Sequence, residues 1–153
     1  MFGKIFSSWG FKGRESASGR GSDPDQTLVL RRELPGLLRE LGVRSLVDAP
    51  CGDFAWMQHV DLGVDSYVGL DVVPDLIARN TERFATPARR FDVADICTGP
   101  LPAADAIFCR DCLVHLPFAS AAQFLEVLRR SEITYLITTT FTGRSRNRDI
   151  PMG

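Results

Sequence analysis

The sequence has little of what several classes of protein require. It contains no run of about 18 apolar residues, so no segment is expected to span a bilayer. Its charges nearly cancel, with 18 Lys and Arg against 19 Asp and Glu. Proteins that neutralise nucleic-acid phosphates usually carry a strongly basic balance, so nucleic acid is not an expected partner.

Cysteine and histidine are also scarce, with 4 and 2 residues. The N-terminal stretch MFGKIFSSWGF is interrupted by Gly, Ser and Lys and is too short for the apolar region of a signal peptide. A reduced, cytoplasmic protein is therefore expected. Cys109 and Cys112 form a CxxC, but a four-cysteine zinc site would also need Cys51 and Cys97 to converge on that pair. Ordinary buried thiols are favoured, and no metal is expected.

The 153 residues fit one domain, and 44% hydrophobic residues are enough for a core. Residues 1–22 differ from the rest because they are rich in Gly and Ser and have a net positive charge. Apolar residues with the spacing of one helical face occur at Phe2, Ile5, Phe6 and Trp9. A small surface helix is one interpretation, but the glycines favour a flexible basic arm, followed by a domain over 23–153.

From Thr27 onwards, helical and strand patterns alternate. The leucines of residues 30–41 predict helix, which Pro35 is expected to kink or divide in two. Further helices are predicted over 54–60, 74–84 and 118–128. Strands are predicted over 45–49, 67–70, 90–93, 105–109 and 133–139. This alternation predicts an α/β fold, a doubly wound parallel sheet of five strands.

Open parallel sheets bind ligands at the carboxyl ends of their strands, so the residues there are the candidates for a site. Asp48 ends the first strand and leads into the turn formed by Ala49, Pro50, Cys51 and Gly52. The turn lacks the GxGxxG pattern, which argues against a dinucleotide-dependent oxidoreductase. Asp71 ends the second strand, 71 − 48 = 23 residues later. An acid at about that distance is where a ribose diol is held.

Four segments, in order, carry a resemblance: LVDAPCGDFAWM, YVGLDVVPDLI, FDVADI and DAIFCRDCLVHLP. They resemble class I S-adenosylmethionine-dependent methyltransferases, and more narrowly a bacterial and phage branch that reads DAPCGD. The resemblance covers roughly residues 27–153. It implies a Rossmann-like fold, S-adenosylmethionine as methyl donor, and a small-molecule or saccharide acceptor.

The resemblance also implies roles for individual residues. Asp48 and the turn 49–52 would hold the methionine part, and Asp71 the ribose hydroxyls. Asp95, followed by Ile96, would bind the adenine amino group. The segment Arg110, Asp111 and Cys112 would line the pocket.

The remaining candidate side chains each have two interpretations. His115 is the candidate base for a protonated acceptor, although a structural histidine is the favoured alternative. Trp56 and Met57 are interpreted as packing residues rather than cofactor contacts. Arginine alternates with other residues at Arg144, Arg146 and Arg148. These arginines could bind a phosphate, or they could belong to a solvated tail.

The chain departs from the class in two ways. Pro50 and Phe54 stand where the class has glycine, and five strands are predicted where the class has seven. The expectation is therefore a C-terminally truncated enzyme. The alternative is a non-catalytic cofactor-binding remnant or one half of a split methyltransferase. Residues 133–139 would form an exposed edge strand, which predicts a dimer or a second chain that completes the sheet.

Overall fold

The computed structural model describes residues 20–143 and 145–151, which form a parallel sheet with helices on both faces. The strands are β1 (Ser45–Asp48), β2 (Ser66–Asp71), β3 (Arg89–Val93), β4 (Ala106–Cys109) and β5 (Tyr135–Thr138). The helices are α1 (Pro24–Glu40), α2 (Pro74–Phe84) and α3 (Phe118–Arg129). The strand order is β3-β2-β1-β4-β5, with every pair parallel. The doubly wound α/β prediction is confirmed.

Each face of the sheet has its own apolar core, because successive side chains of a strand point to opposite faces. Leu46 of β1 and Phe108 of β4 pack on the face covered by α1 and α2. Val47 and Ile107, their neighbours along the chain, pack on the other face with Phe124 of α3. Burial on both faces explains why these strands are nearly continuous apolar runs in the sequence.

The prediction that Pro35 divides the first helix in two is wrong, because α1 continues through it as one helix of 17 residues. A proline inside a helix removes a hydrogen bond and costs about 3 kcal/mol. Leu34 and Leu38, one turn apart, are 3% and 0% exposed against the core. Burial of this leucine face offsets the lost backbone bond, so tertiary packing decides the continuity of α1.

The helix predicted over residues 54–60 is also wrong, since only Met57–His59 form a short 3-10 turn. Phe54 has a φ of +57°, a left-handed conformation that cannot begin a right-handed helix. Its ring instead packs against three other aromatic rings, with centroids 5.1 to 5.4 Å away. Met57 is 1% exposed and Trp56 packs edge-on against Phe108, so both residues pack in the core as expected.

The structure describes the last three residues of the predicted arm over 1–22. Arg20–Ser22 form a 3-10 turn that leads into α1, and the Gly21 carbonyl accepts a hydrogen bond from Arg110. Residues 2–9, whose amphipathic spacing was noted above, and Arg144 lie outside the described residues. Within the described residues no helix has the length and apolar character needed to cross a bilayer.

Strand β5 is an edge of the sheet in the part of the chain that the structure describes, since it pairs only with β4. Tyr135 at its start is 36% exposed. Leu136 packs on the core beside α3, and the Thr138 hydroxyl donates to the Cys109 carbonyl at 2.7 Å. Tyr135 is therefore the position on β5 where a charge disturbs the fold least.

We expect the chain to self-associate through β5 at micromolar concentration, because an open β-rich edge without a charge pairs readily. Tyr135→Lys should shift sedimentation towards the monomer. Leu28→Lys is the matched control, since it also replaces an exposed apolar residue, here on α1. A wild-type chain that sediments as a stable monomer, or a monomer produced equally by both substitutions, would contradict pairing through this edge.

Candidate functional site

The parallel sheet brings the carboxyl ends of four strands to one edge of the molecule, which is not the lateral edge formed by β5. Asp48 is the last residue of β1 and Asp71 the last of β2, and these two strands are neighbours. The segments after β3 and β4 carry the remaining predicted residues at the same edge. The residues predicted for the site therefore lie at one end of the sheet, the end where open parallel sheets bind ligands.

Asp48 is a buried acid, 4% exposed, whose carboxylate accepts a hydrogen bond from the Tyr67 hydroxyl at 2.5 Å. Burial raises the pKa of Asp48 from 3.8 to about 7, and the nearby Asp71 carboxylate also raises it, while the Tyr67 hydrogen bond and Arg110 oppose the shift. Desolvation wins because a buried carboxylate loses more hydration than one hydroxyl returns. Asp48 is therefore poised to change its protonation near neutral pH.

Asp71 joins the turn after β1 to the end of β2. Its carboxylate accepts hydrogen bonds from the Gly52 amide at 3.2 Å and from the Val73 amide at 3.1 Å. Burial raises the pKa of Asp71 above its usual value, against the effect of these backbone amides. Two carboxylate oxygens offer about four acceptor positions, so acceptor capacity remains for a ligand's hydroxyls.

The turn after β1 is held in place by backbone hydrogen bonds to both neighbouring strands. The Ala49 amide donates to Phe108 of β4 at 2.9 Å, and the Cys51 amide donates to Leu70 of β2 at 2.8 Å. The Ala49–Pro50 peptide bond is cis. Pro50 is exposed, while Gly52 has a φ of +56°, which glycine adopts without strain. The turn thus presents its backbone at the edge of the sheet in one defined conformation.

Asn80 of α2 is a residue of the site that the sequence interpretation missed. It is 2% exposed, and its side-chain amide donates to the Gly52 carbonyl at 2.8 Å. The signal was present in the sequence, because Asn80 follows Leu76 and Ile77 on the buried face of the helix, where a polar residue needs a partner. Tyr67 was missed as well. It lies in an apolar strand, and only the hydroxyl group at the end of its side chain is polar.

The segment after β3 runs beside Asp71, whose backbone carbonyl accepts from the Ala94 amide at 3.0 Å. Asp95 is exposed and its carboxylate accepts from the Cys97 amide at 2.8 Å, which closes a turn. Ile96 is 8% exposed and packs on the core beside α3. Asp95 therefore lies at the same edge of the sheet as Asp71, with its outer side open to solvent.

Arg110 and Asp111, directly after β4, form an ion pair with 3.1 Å between Arg110 Nη2 and Asp111 Oδ2. Arg110 also donates to the Gly21 carbonyl at 2.7 Å and lies 5.9 Å from the centre of the Trp56 ring. Asp111 has a φ of +48°, and its amide donates to the Thr139 hydroxyl at 2.9 Å. No pattern in the sequence indicates the contact with Gly21, which joins residues far apart in the chain.

His115 lies in the 3-10 turn Leu113–His115 and is exposed. Its backbone amide donates to the Cys112 carbonyl at 2.9 Å. Cys112 is partly buried and follows Asp111 at the same edge. The turn thus places His115 after β4, on the β4 side of the candidate site.

The four cysteines do not gather in one place. Cys51 packs on the face of the sheet covered by α1 and α2, whereas Cys97, Cys109 and Cys112 pack on the opposite face. The sheet separates the two groups, so the CxxC pair and Cys51 do not share a four-cysteine site. No group of three metal-ligating side chains occurs among the residues described by the structure.

The comparisons with solved structures agree on one architecture. The methyltransferase domain of bacterial CtHen1 (CtHen1-CN) is similar with a TM-score of 0.63 at 15% identity, over 76% of this chain and 66% of that domain. DhpI, in complex with SAH, gives a TM-score of 0.60 at 18% identity over 92% of this chain and 72% of that one. The sugar N-methyltransferase KedS8 from Streptoalloteichus sp. gives 0.59 at 22% identity, over 76% of this chain and 47% of that one.

These similarities establish the fold, which is the Rossmann-like fold of those proteins. The chain spans 63% of the CtHen1-C methyltransferase domain and 66% of CtHen1-CN. The sequence matches no protein-family model and no curated protein. The chemistry available to this chain is therefore argued from its own residues: two buried acids, a rigid backbone turn between them, and an ion pair at the next strand.

Proposed function

We propose that this chain binds S-adenosylmethionine and belongs to an enzyme that transfers its methyl group to a small-molecule or saccharide acceptor. One observation carries the proposal: Asp71, at the end of β2, is fixed by the Gly52 amide of the turn after β1. A carboxylate in that position, with acceptor capacity left, suits the two vicinal hydroxyls of a ribose.

The other residues are assigned by their positions around that acid. We assign the methionine part to Asp48 and the turn 49–52, whose backbone is fixed and whose acid can balance a cationic ammonium group. Asp95 and Ile96 are assigned to the adenine, since they follow β3 beside Asp71. Arg110 and Asp111 are assigned to the wall of the pocket on the β4 side.

The chemistry follows from the cofactor class. When bound, S-adenosylmethionine supplies a methyl group on a positively charged sulfur, which makes the carbon open to attack by a nucleophile of the acceptor. The residues of this chain bind and orient, and alignment alone is a large part of the rate of such a reaction. A base is needed only for a protonated acceptor such as a hydroxyl, and the exposed His115 is our candidate for that role.

The acceptor class is proposed on two grounds. The near-neutral charge balance gives little attraction for nucleic acid. Among the similar structures is one named as a sugar N-methyltransferase. A screen of nucleoside sugars and small amines or alcohols, with methyl-labelled donor, would identify the acceptor.

Titration calorimetry with S-adenosylhomocysteine tests the cofactor, with NAD as the control ligand. We expect saturable binding of one S-adenosylhomocysteine per chain and none of NAD, because the first turn lacks the glycines of a pyrophosphate site. Binding of NAD in preference to S-adenosylhomocysteine, or of neither, would overturn the proposal.

Asp95→Ala is expected to weaken S-adenosylhomocysteine binding less than Asp71→Ala does. A single hydrogen bond from a neutral amino group to a charged acceptor is worth about 1.5–3 kcal/mol, and the exposed position of Asp95 places the loss at the low end. Competition by an inosine-type analogue, which lacks the amino group, is the second measurement. Affinities in the reverse order, or an analogue that binds as tightly as the parent ligand, would remove Asp95 from the site.

A further inference from the structure

Tyr67 is a buried tyrosine whose hydroxyl contacts an acid of the proposed cofactor site. It lies on β2, and its hydroxyl donates to Asp48 Oδ2 at 2.5 Å. Its ring packs against Phe54 and Phe91 in the core, with centroids 5.4 and 6.0 Å away. A phenylalanine would fill the same space, so the packing of the ring does not explain why a hydroxyl is present.

The two carboxylate oxygens of Asp48 differ in their surroundings. Oδ2 accepts from the Tyr67 hydroxyl, whereas Oδ1 accepts no hydrogen bond from the residues that the structure describes. In that part of the chain, no fully enclosed side-chain oxygen lacks a partner. Oδ1 is therefore not fully enclosed, and it is the oxygen left for a cationic group of a ligand.

Asp48 lies among groups that carry more negative than positive charge. The titratable and charged groups that face it are Cys51 of the turn, Tyr67 and Asp71 of β2, Cys109 of β4, and Arg110 after β4. Cys51 and Cys109 are buried thiols, which stay neutral in apolar surroundings. Arg110 is the cation of this group, and it is already engaged by Asp111 and by the Gly21 carbonyl. A cationic ligand would therefore balance the two acids.

We propose that Tyr67 is a positioning residue of the cofactor site, where it holds the Asp48 carboxylate so that Asp48 releases a proton when the ammonium group of the ligand binds. The identity of the ligand rests on the proposed function. In the ligand-free protein near neutral pH, part of the molecules carry a proton on Asp48. On binding, that proton passes to solvent, and the negative charge left on Asp48 balances the ammonium group.

Two opposing effects set the protonation of Asp48. Burial raises the pKa of Asp48 to about 7, and the Tyr67 hydroxyl opposes this shift because it donates to the ionised carboxylate. Burial also raises the pKa of Tyr67 well above its usual value of 10, so Tyr67 remains a donor. Loss of the hydroxyl should therefore move the pH dependence of binding upwards, by about one pH unit.

The pH dependence of S-adenosylhomocysteine binding separates this role from a merely structural one. The wild type and Tyr67→Phe are titrated by calorimetry between about pH 6 and pH 8.5. We expect the affinity of the wild type to rise with pH up to about 7 and then to level off. Tyr67→Phe should bind about tenfold more weakly than the wild type at pH 6, and within about twofold of it at pH 8.5, where Asp48 is ionised in both proteins.

Tyr135→Phe is the matched control, because it removes the hydroxyl of the only other tyrosine, which lies on β5 and is exposed. It should bind as the wild type does at every pH. A second control is the ligand 5′-methylthioadenosine, which keeps the adenosine and lacks the amino-acid end. The wild type and Tyr67→Phe should bind it equally at each pH, since it brings no ammonium group to Asp48.

The released proton is counted by repeating the titration at pH 7 in two buffers of different ionisation enthalpy. The wild type is expected to release about half a proton per S-adenosylhomocysteine bound, because an acid is half ionised at a pH equal to its pKa. Tyr67→Phe should release close to one proton, since more of its Asp48 is protonated before the ligand binds.

Three results would overturn this role of Tyr67: a wild-type affinity that does not change with pH, a Tyr67→Phe protein weakened equally at every pH, or a proton release that the substitution leaves unchanged. A wild type that binds no S-adenosylhomocysteine at any pH would instead overturn the proposed function. The ligand-free protein would then still test the pair. The free energy of unfolding of Tyr67→Phe should continue to fall between about pH 7 and pH 8 while that of the wild type levels off, and parallel curves would contradict the pairing.

Discussion

Asp71→Ala is expected to lower the affinity for S-adenosylhomocysteine roughly 30- to 700-fold, which corresponds to about 2–4 kcal/mol. The loss has two sources. The ligand's hydroxyls lose a charged acceptor, and the Gly52 amide loses the carboxylate that fixes the turn after β1. Calorimetric titration of the wild type and the variant in one buffer measures the change.

Asp75→Ala is the matched control, because it removes an exposed carboxylate four residues further on, in the first turn of α2. If charge near this edge were all that mattered, the two substitutions would have similar effects. The fold of the Asp71 variant is expected to persist, since burial raises the pKa of Asp71 and its ionised form is costly to the folded state. An Asp71→Ala protein that is folded and binds as tightly as the wild type would remove the ribose assignment.

Asp48→Asn is expected to make the ligand-free protein more stable at pH 8, by roughly 2–4 kcal/mol. The pKa of Asp48 is about 7 in the folded chain against a usual value of 3.8. Between these values the folded state binds the proton more tightly than the unfolded state does. The free energy of unfolding therefore falls as pH rises from about 4 to 7, and asparagine, which accepts from the Tyr67 hydroxyl without ionising, avoids that loss.

Urea denaturation at several pH values, followed by tryptophan fluorescence, measures this effect. The advantage of Asp48→Asn should be greatest at pH 8 and should disappear below about pH 4, where the acid is protonated in both states. The same variant is expected to bind S-adenosylhomocysteine less well, because it lacks the negative charge proposed to face the ammonium group.

Asp105→Asn is a control that is expected to change the free energy of unfolding in the opposite direction. Hydrogen bonds from the Arg44 amide, and from the Ser45 hydroxyl and amide, lower the pKa of Asp105. Its ionised form therefore stabilises the folded chain, and the asparagine variant should be less stable at neutral pH, with the difference shrinking on acidification. An Asp48 variant with the same pH dependence as the wild type would show that Asp48 titrates normally.

Local sequence patterns were sufficient to predict a residue's environment wherever that environment depends mainly on the residue's own helix or strand. The strand and helix periods gave the parallel sheet, and a parallel sheet puts every strand end at one edge, so Asp48 and Asp71 followed from position alone. The same patterns were insufficient at Pro35 and Phe54. In both places a local preference for breaking or forming a helix was overruled by burial against residues distant in the chain.

The sequence by itself determined the fold class, the acids at the strand ends, and the edge of the sheet at which those acids meet. Only the tertiary structure decided that Asn80 and Asp71 fix Gly52, that Tyr67 binds Asp48, and that Arg110 reaches Gly21. It also placed Cys51 on the opposite face of the sheet from the other thiols. The physical reason is that periodicity reports which face of an element is buried, whereas the partner of a buried polar group depends on how separate elements pack.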